Sequence, residues 1–347
     1  MCSNISQRIW GTVTGDVLKQ LAHSASRIAL LNDENTHRLC VPLLGKLPKE
    51  ITFIKHPAGE RGKTWMALGK LLEELAQMGL DRQSLLYVLG GGALCDVGGL
   101  AASLYMRGIR CVYIPTTLVA LVDACIGGKT AVNLGDLKNL VGTFRSPEAI
   151  LCDTRFLATL TPVQILEGWA EMLKHGMVAD ARHLEQLLAV PDPFEGGMQP
   201  ELISSSQEIK WQIVQQDPYE KDKRKLLNFG HSVGHALESW FASHGRPLPH
   251  GLSVAAGMLV ELELSTMYAG LHPETTAMYQ AMIRSLYAPY WPTMPPAVAL
   301  LPFLRMDKKN YRHAHRFTLL KAPGKGVWDV EITEEAILTA YQKVWYS

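Results

Sequence analysis

Hydrophobic positions in the first half of the chain alternate between continuous apolar runs and runs with helical spacing. Continuous runs at 26–33, 85–90, 111–115 and 149–153 predict short buried strands, whereas residues 63–78 repeat their apolar positions with the period of a helix. Near-continuous apolar strands that alternate with helices are typical of a parallel sheet covered on both faces. The pattern therefore predicts an α/β domain with a Rossmann-like parallel sheet.

After about residue 160 the pattern becomes mostly helical. Helical spacing occurs in four stretches, residues 161–178, 201–217, 230–242 and 253–270. The pair Thr161-Pro162 is typical of a helix start. A short strand pair is expected at 316–332, and Thr333 opens a last helix. We expect two domains, residues 1–158 and 159–347, of which the second is mostly α-helical.

Composition excludes several classes of function. The 347 residues are 47% hydrophobic and 19% charged, with a net charge of +1, so nothing predicts a nucleic acid or a membrane surface as partner. No uncharged apolar run approaches the roughly 18 residues of a membrane span. The first residues, MCSNISQRIWGTVTGD, lack the apolar core of a signal peptide. We therefore expect a cytoplasmic protein.

A glycine-rich turn follows the strand at 85–90 and opens a helix. In LLYVLGGGALCDVGG, glycines such as Gly91 and Gly92 allow close approach of a ligand, and amides at a helix start favour phosphate. The turn is not a G-x-G-x-x-G motif, so a tight strand–helix connection is the alternative. Asp96 lies in apolar surroundings and is a candidate to contact a dinucleotide. Asp33, after the first strand, suits either a ribose or a helix cap.

A second polar segment, PTTLVALVDACIGGKTAVNLGDLKN (115–139), carries several charges among small residues. It contains Asp123, Lys129, Lys138 and Asn139, and paired glycines precede Lys129 directly. A solvated loop would explain the charges alone, but the paired glycines favour a lysine held over an anion. Lysine supplies a compact positive charge, so the segment predicts phosphate or carboxylate binding.

The stretch NFGHSVGHALESW (228–240) holds two histidines one helical turn apart, His231 and His235, which should point the same way. Glu171 and Lys174 lie on a predicted helix, and His250 lies on a loop entering another. Glutamate with two histidines leaves open positions on zinc, as catalytic zinc requires. Spacing alone leaves open whether His235 or His250 joins His231, or whether two of these histidines only satisfy buried backbone groups.

Seven motifs in order resemble the 3-dehydroquinate synthase family of the sugar phosphate cyclases. They are GGGALCDVGGLAASLYMRG, PTTLVALVDACIGGKTAVN, LKNLVG, GWAEMLKHG, RKLLNFGHSVGHALE, LPHGLSVAAGM and MDKKN. The resemblance implies a nucleotide-binding domain followed by a helical metal-binding domain in a homodimer. It also implies NAD and Zn²⁺ (or Co²⁺) as cofactors. The implied enzyme is a carbon–oxygen lyase that converts a phosphorylated seven-carbon sugar acid to 3-dehydroquinate and phosphate.

The resemblance assigns roles to individual residues. It implies Glu171, His231 and His250 as metal ligands, and places His235 beside the substrate for proton transfer. The remaining residues that match substrate or pocket positions are Arg107, Asp123, Lys129, Asn139, Lys174, Lys210, Arg224, Asn228 and Lys308. Those that match NAD positions are Asp33, Glu60, Lys63, Gly91, Gly92, Asp96, Thr116, Thr117, Lys129, Lys138, Phe156 and Thr159.

Two positions depart from the family pattern. Cys95 replaces a glycine before the loop aspartate, and Leu252 stands where many relatives carry glutamate. Neither is a ligand or a base in the pattern, so we expect effects on packing only. The alternative function is that of another sugar phosphate cyclase, of the valiolone or inosose type, which alters the residues that contact the substrate carboxylate.

Overall fold

The chain divides into two compact units, Met1–Thr161 and Pro162–Ser347. The computed structural model describes residues 6–135, 137–194, 199–306 and 315–346. Within the described ranges, no helix combines the length and the apolar character needed to cross a bilayer.

Strands and helices alternate along the first unit. In chain order they are β1 (Gln7–Trp10), α1 (Gly15–Leu21), β2 (Ile28–Asp33), α2 (Glu34–Leu39), β3 (Ile51–His56), α3 (Trp65–Gln77), β4 (Leu85–Gly90), α4 (Gly92–Leu104), β5 (Arg110–Pro115), β6 (Lys129–Leu134), β7 (Leu137–Phe144) and β8 (Ala149–Cys152). Short 3₁₀ turns connect several of them. Helix α3 begins after Thr64, whose side chain accepts from the backbone N–H of Ala67.

The first unit is built on a parallel sheet. Among the residues described, six strands pair in the order β1-β8-β5-β4-β2-β3, and every pairing is parallel. Strand β4 is buried along its whole length, as expected for a strand with helices on both faces. The segment 115–139 is not the solvated loop that its charges alone would explain. Its second half enters the antiparallel pair β6–β7, where Lys129 lies opposite Phe144.

One face of this sheet packs a large hydrophobic cluster. Leu30, Tyr87, Leu89 and Ile114 project into it from the central strands, and Phe156 closes it from the segment after β8. The Tyr87 hydroxyl donates to the Leu18 carbonyl oxygen at 2.6 Å, so this buried polar group is satisfied. Burial on this scale holds the carboxyl ends of the strands in place.

Helices dominate the second unit. In chain order its elements are α5 (Pro162–Ala179), α6 (Ala181–Leu188), α7 (Pro200–Gln216), α8 (His231–Ser243), α9 (His250–Tyr268), α10 (Pro273–Tyr287), α11 (Leu301–Arg305), β9 (His315–Ala322), β10 (Lys325–Ile332) and α12 (Glu334–Tyr346). Helix α9 is buried continuously from Gly251 to Ser265 and packs against α5, α8, α10 and α12. A helix that is apolar all round is suited to such a central position. The parallel sheet and this helical unit confirm the predicted fold class, including the late strand pair β9–β10.

Candidate active site

Three side chains of the second unit converge on one point. Glu171 lies on α5, whereas His231 and His250 are the first residues of α8 and α9. The Glu171 Oε1 atom lies 3.5 Å from His231 Nε2 and 3.3 Å from His250 Nε2. One donor atom from each residue falls within 4.8 Å of the others. One carboxylate and two imidazoles at this spacing fit a divalent ion with open coordination positions.

The ring nitrogen of His231 that faces away from Glu171, Nδ1, has a backbone hydrogen-bond partner. His231 Nδ1 lies 3.0 Å from the Phe229 carbonyl oxygen, which accepts only if Nδ1 carries the proton. In that tautomer Nε2 is unprotonated, and its lone pair is directed toward Glu171. A fixed tautomer of this kind is the usual arrangement of a histidine that binds a metal.

Two carboxylates, one buried (Glu261) and one half-buried (Glu167), accept from the backbone at the starts of the helices that carry these histidines. Glu261 of α9 accepts the backbone N–H groups of Gly230, Ser232 and Val233 at 2.6, 3.1 and 3.3 Å, and so caps α8. Glu167 of α5 accepts the N–H groups at the start of α9. Each carboxylate opposes the positive end of a helix dipole and satisfies exposed amide donors. The backbone that carries both histidines is therefore held in place at the two helix starts.

Close packing at the start of α9 requires a glycine. A Cβ at Gly251 would lie 2.2 Å from the Cα atom of Glu167. This distance is too short for any residue with a side chain. Helix α9 can therefore approach α5 closely enough for His250 to reach Glu171. Leu252, one of the two departures, is buried beside it, and its carbonyl oxygen accepts from Trp291 Nε1 at 2.9 Å. The other departure, Cys95, is likewise fully buried.

Charge is concentrated around the Glu171 carboxylate. Lys174, one turn further along α5, forms a buried ion pair with Glu171. Burial lowers the pKa of His231 well below its usual value, and the Lys174 charge lowers it further, so this ring is neutral. Burial also lowers the pKa of His250, but contacts with Glu171 and Glu238 outweigh burial and raise that pKa to about 10. A divalent cation would satisfy the same carboxylates.

His235 lies beside this cluster in a different environment. Its ring centroid is 5.2 Å from that of His231 and 6.1 Å from that of His250. Its side chain is exposed, whereas His231 is buried. His235 also offers a donor atom within 4.8 Å of Glu238 and His250, so it borders the centre. Its exposure makes it available to a bound molecule.

Further polar residues of the same unit gather near a turn between α7 and α8. Arg224 and Lys210 are almost fully buried. Asp217 accepts the backbone N–H groups of Lys221, Asp222 and Arg224, and so shapes this turn. Asn228, a third predicted substrate-contact residue, donates from Nδ2 to Glu220 Oε1 at 2.7 Å. The turn therefore holds the buried cation of Arg224 and a hydrogen-bonded carboxylate and amide, whereas Lys210 lies within α7.

Glu220 was not predicted from the sequence as a site residue. Its backbone is left-handed, with φ of 57°, a conformation that is uncommon for a non-glycine residue and is often found at functional sites. No hydrophobic periodicity relates Glu220 to Arg224, since Glu220 lies in the turn and Arg224 in the short 3₁₀ helix that follows, Lys223–Asn228. Glu167 and Glu261 were missed as well. Each lies among apolar neighbours in its helix, and the structure leaves Glu261 buried and Glu167 half-buried.

In the first unit the glycine turn lies against the segment after β5. The backbone N–H of Thr116 donates to the Gly90 carbonyl oxygen at 3.0 Å. A Cβ at Gly91 would lie 3.1 Å from Thr117 Cγ2. Helix α4 begins at Gly92, and its N-cap residue, Gly91, has no side chain that could cap the helix. The predicted positions 91, 92, 116 and 117 thus lie together, with helix amides available to an anion.

Two further predicted NAD residues form an ion pair. Lys63 Nζ lies 2.5 Å from Asp96 Oδ2, with side-chain exposures of 7% and 19%. Glu60 accepts from Asn133 Nδ2 at 2.7 Å, and Asn133 in turn accepts the backbone N–H of Asn139 at 2.9 Å. The segments around residues 60, 96 and 133 therefore meet at one place in the first unit.

Other predicted cofactor residues have structural roles. The Asp33 side chain caps α2 by accepting from the N–H groups of Asn35 and Thr36. A helix cap was one of the two roles that the sequence suggested for this residue. Phe156 is fully buried in the core, so its ring has no exposed surface to offer a cofactor. Thr159 donates its hydroxyl to the Phe156 carbonyl oxygen at 2.7 Å. A cofactor role for these three residues stays a prediction.

The remaining predicted residues divide between exposed and undescribed positions. Arg107, Lys129, Lys138 and Asn139 are exposed on the first unit, and Asp123 is half-buried. Arg107 and Asn139 have left-handed backbones, with φ of 65° and 53°. Lys308 lies outside the described residues.

Solved structures with the same fold include sugar phosphate cyclases. A 2-epi-5-epi-valiolone synthase from Streptomyces hygroscopicus subsp. jinggangensis, with NAD⁺ and Zn²⁺ bound, is 24% identical and covers 99% of this chain and 98% of its own, with a TM-score of 0.84. A 2-deoxy-scyllo-inosose synthase complexed with carbaglucose-6-phosphate, NAD⁺ and Co²⁺ is 22% identical and covers 97% and 96%, with a TM-score of 0.81. The fold is thus that of the sugar phosphate cyclases.

Sequence comparison defines the family within this class. The model of the 3-dehydroquinate synthase N-terminal region matches residues 53–167, and that of the C-terminal region matches 168–310. A 3-dehydroquinate synthase from Parabacteroides distasonis is 37% identical over 326 residues, which cover 93% of this chain and 92% of the relative. The chain belongs to the 3-dehydroquinate synthase family, and the resemblance seen in its motifs is confirmed. It is therefore an enzyme of the lyase class.

Proposed function

We propose that this chain converts 3-deoxy-D-arabino-heptulosonate 7-phosphate to 3-dehydroquinate and inorganic phosphate. The observation that carries the proposal is the Glu171–His231–His250 cluster with exposed His235 beside it, in a chain of this family. The reaction releases phosphate and closes a carbon ring without net oxidation. It is the step that leads toward aromatic amino acids in the shikimate pathway.

The proposal includes two cofactors, NAD and a divalent metal ion, Zn²⁺ or Co²⁺. The three donor atoms, the fixed tautomer of His231 and the buried carboxylate of Glu171 fit such an ion. When bound, NAD accepts and returns a hydride, and the metal polarises an alcohol or ketone oxygen. The residues proposed for NAD are Asp33, Glu60, Lys63, Gly91, Gly92, Asp96, Thr116, Thr117, Lys129, Lys138, Phe156 and Thr159.

Around the metal centre the chain supplies proton transfer and anion binding. We assign His235 to proton transfer, because an exposed imidazole one turn from His231 can both give and take a proton. Lys174, Lys210 and Arg224 are buried cations suited to a carboxylate and hydroxyls. Other proposed substrate contacts are Arg107, Asp123, Lys129, Asn139, Asn228 and Lys308. Glu220, which accepts from Asn228, orients that amide.

The alternative activities of the valiolone or inosose type receive no specific support. The solved cyclases of those types are 24% and 22% identical to the chain, which identifies the fold alone. Relatives named 3-dehydroquinate synthase reach 37% over nearly the whole length. Lys210, Arg224, Asn228 and His235 also stand as the 3-dehydroquinate pattern has them.

A direct assay tests the proposed activity. The purified protein is incubated with the heptulosonate phosphate, NAD and Zn²⁺, and released phosphate and the carbon product are measured. We expect equal amounts of phosphate and 3-dehydroquinate, with no net change in NADH. Absence of phosphate release, together with turnover of a seven-carbon sugar phosphate that lacks the carboxylate, would contradict the proposal and favour the valiolone type.

Assembly and location complete the proposal. We infer that the enzyme is a cytoplasmic homodimer, as its family resemblance implies. Sedimentation equilibrium should then give about twice the chain mass of 38.4 kDa. A single-chain mass at micromolar concentration would contradict the dimer.

A further inference from the structure

Glu238 lies on the same face of α8 as the two histidines. It follows His231 by seven residues and His235 by three, which is two turns and one turn of helix. Its Oε2 atom is 3.6 Å from Nδ1 of His250, within ion-pair range. The other nitrogen of that ring, Nε2, faces Glu171 Oε1 at 3.3 Å. The His250 ring therefore lies between two carboxylates.

The two histidine ligands differ in what faces their second nitrogen. His231 Nδ1 meets a neutral backbone carbonyl, that of Phe229, at 3.0 Å. His250 Nδ1 instead meets the carboxylate of Glu238, which is only 14% exposed. A carboxylate behind a ligating imidazole fixes the ring orientation and makes the other nitrogen a stronger donor. His250 has more need of such support, because its side chain is 33% exposed against 11% for His231.

We propose that Glu238 is a positioning residue of the metal centre, which holds the His250 ring with Nε2 directed at the ion. The proposal rests on the metal site of the proposed function and adds to it a residue that touches neither substrate nor metal. Glu171 and Glu238 then act on opposite edges of one imidazole. Removal of the Glu238 charge should weaken metal binding while His231 and Glu171 stay in place.

The alternative role of the same carboxylate is direct ligation together with His235 and His250. Donor atoms of those three residues also lie within 4.8 Å of one another. The two roles predict different behaviour of the variants. If Glu238 were a ligand, Glu238→Ala would lose the ion and His231→Ala would keep it.

The test measures Co²⁺ binding by metal-free protein, with visible absorbance for geometry and a competing chromogenic chelator for affinity. The variants are Glu238→Gln and Glu238→Ala. We expect both to bind one Co²⁺ per chain with a Kd raised about 10- to 100-fold. The rise should be larger for alanine, because the glutamine oxygen still accepts from Nδ1–H. The Co²⁺ absorbance should change in the alanine variant, where the His250 ring is no longer held.

The matched control is Glu263→Gln, the same change of charge at a carboxylate of α9 that is 8% exposed and pairs with Lys343. We expect the wild-type Kd in this control. Unfolding temperatures of the metal-free proteins separate a positioning role from general destabilisation, since Glu238→Gln should melt close to wild type. Wild-type affinity in Glu238→Ala would overturn the proposal while the metal site stands. Absence of Co²⁺ binding by the wild type would overturn the metal site as well.

Discussion

The rings of His231 and His235 lie 5.2 Å apart and almost perpendicular, at 88°, yet only one of them is exposed. His231 begins α8, where the chain is buried and its ring turns inward to Glu171. His235, one turn later, remains accessible. Two histidines on one helical face thus have unequal environments: the His231 ring is enclosed at the buried start of α8, whereas the His235 ring is exposed. This inequality supports the proposed division between metal binding and proton transfer.

Glu261 should contribute measurably to stability. We expect Glu261→Gln to lower the free energy of unfolding by about 1–3 kcal/mol, because a buried carboxylate that accepts three N–H groups is replaced by a neutral group with its own donors. Urea unfolding of metal-free protein measures the change. Glu335→Gln, in the exposed first turn of α12, is the control and should cost only a few tenths of a kcal/mol. Equal losses in the two variants would contradict the capping role.

The Lys63–Asp96 ion pair should affect NAD binding. In Lys63→Ala, the Asp96 carboxylate loses this cation close to the glycine turn, which increases negative charge where we place the pyrophosphate. We expect the Kd for NAD to rise about tenfold, or ~1.4 kcal/mol, by titration calorimetry. Lys55→Ala, an exposed lysine of β3, is the control and should bind NAD as wild type does. An unchanged Kd in Lys63→Ala would place the pyrophosphate elsewhere.

Buried His183 should make stability depend on pH. Burial, with a smaller effect of His175, lowers the pKa of His183 from 6.5 to about 4. Between these values the unfolded chain binds a proton that the folded chain does not, so this residue lowers stability as pH falls. From pH 7.5 to 5.5 the loss attributable to His183 is about 1 kcal/mol.

A substitution isolates this effect. Neither ring nitrogen of His183 has a hydrogen-bond partner among the described residues, so His183→Leu removes no bond. We expect the variant to lose about 1 kcal/mol less than wild type between pH 7.5 and 5.5, measured by urea unfolding at both values. The same pH slope in both proteins would show that folding does not lower the pKa of His183, and would contradict this prediction.

Periodicity and composition predicted the regular parts of the fold. The continuous apolar run at 85–90 is β4, and the helical spacing at 253–270 corresponds to α9, His250–Tyr268. Both were predictable because the spacing of apolar residues is a local property of the sequence. The hairpin β6–β7 was missed, since its polar and glycine-rich residues resemble a loop. Strands with both faces partly exposed carry little hydrophobic signal, as the mostly exposed β7 illustrates.

The candidate site was accessible from the sequence only in part. Spacing left open which histidine joins His231, and the family resemblance, not the residues alone, pointed to His250. The structure brings His250 to Glu171 through the close contact of Gly251 with α5, which no local pattern encodes. Supporting carboxylates such as Glu238 and Glu261 were unpredictable for the same reason. Their partners lie 12 to 31 positions away in the chain.

The central structural claim is that Glu171, His231 and His250 hold the metal while His235 does not. Its most direct test is the metal content of His235→Ala and His250→Ala after reconstitution with Zn²⁺ and removal of excess ion. We predict one ion per chain, with little activity, in His235→Ala, and loss of the ion in His250→Ala. Loss of the ion from both variants, or its retention in His250→Ala, would contradict the assignment.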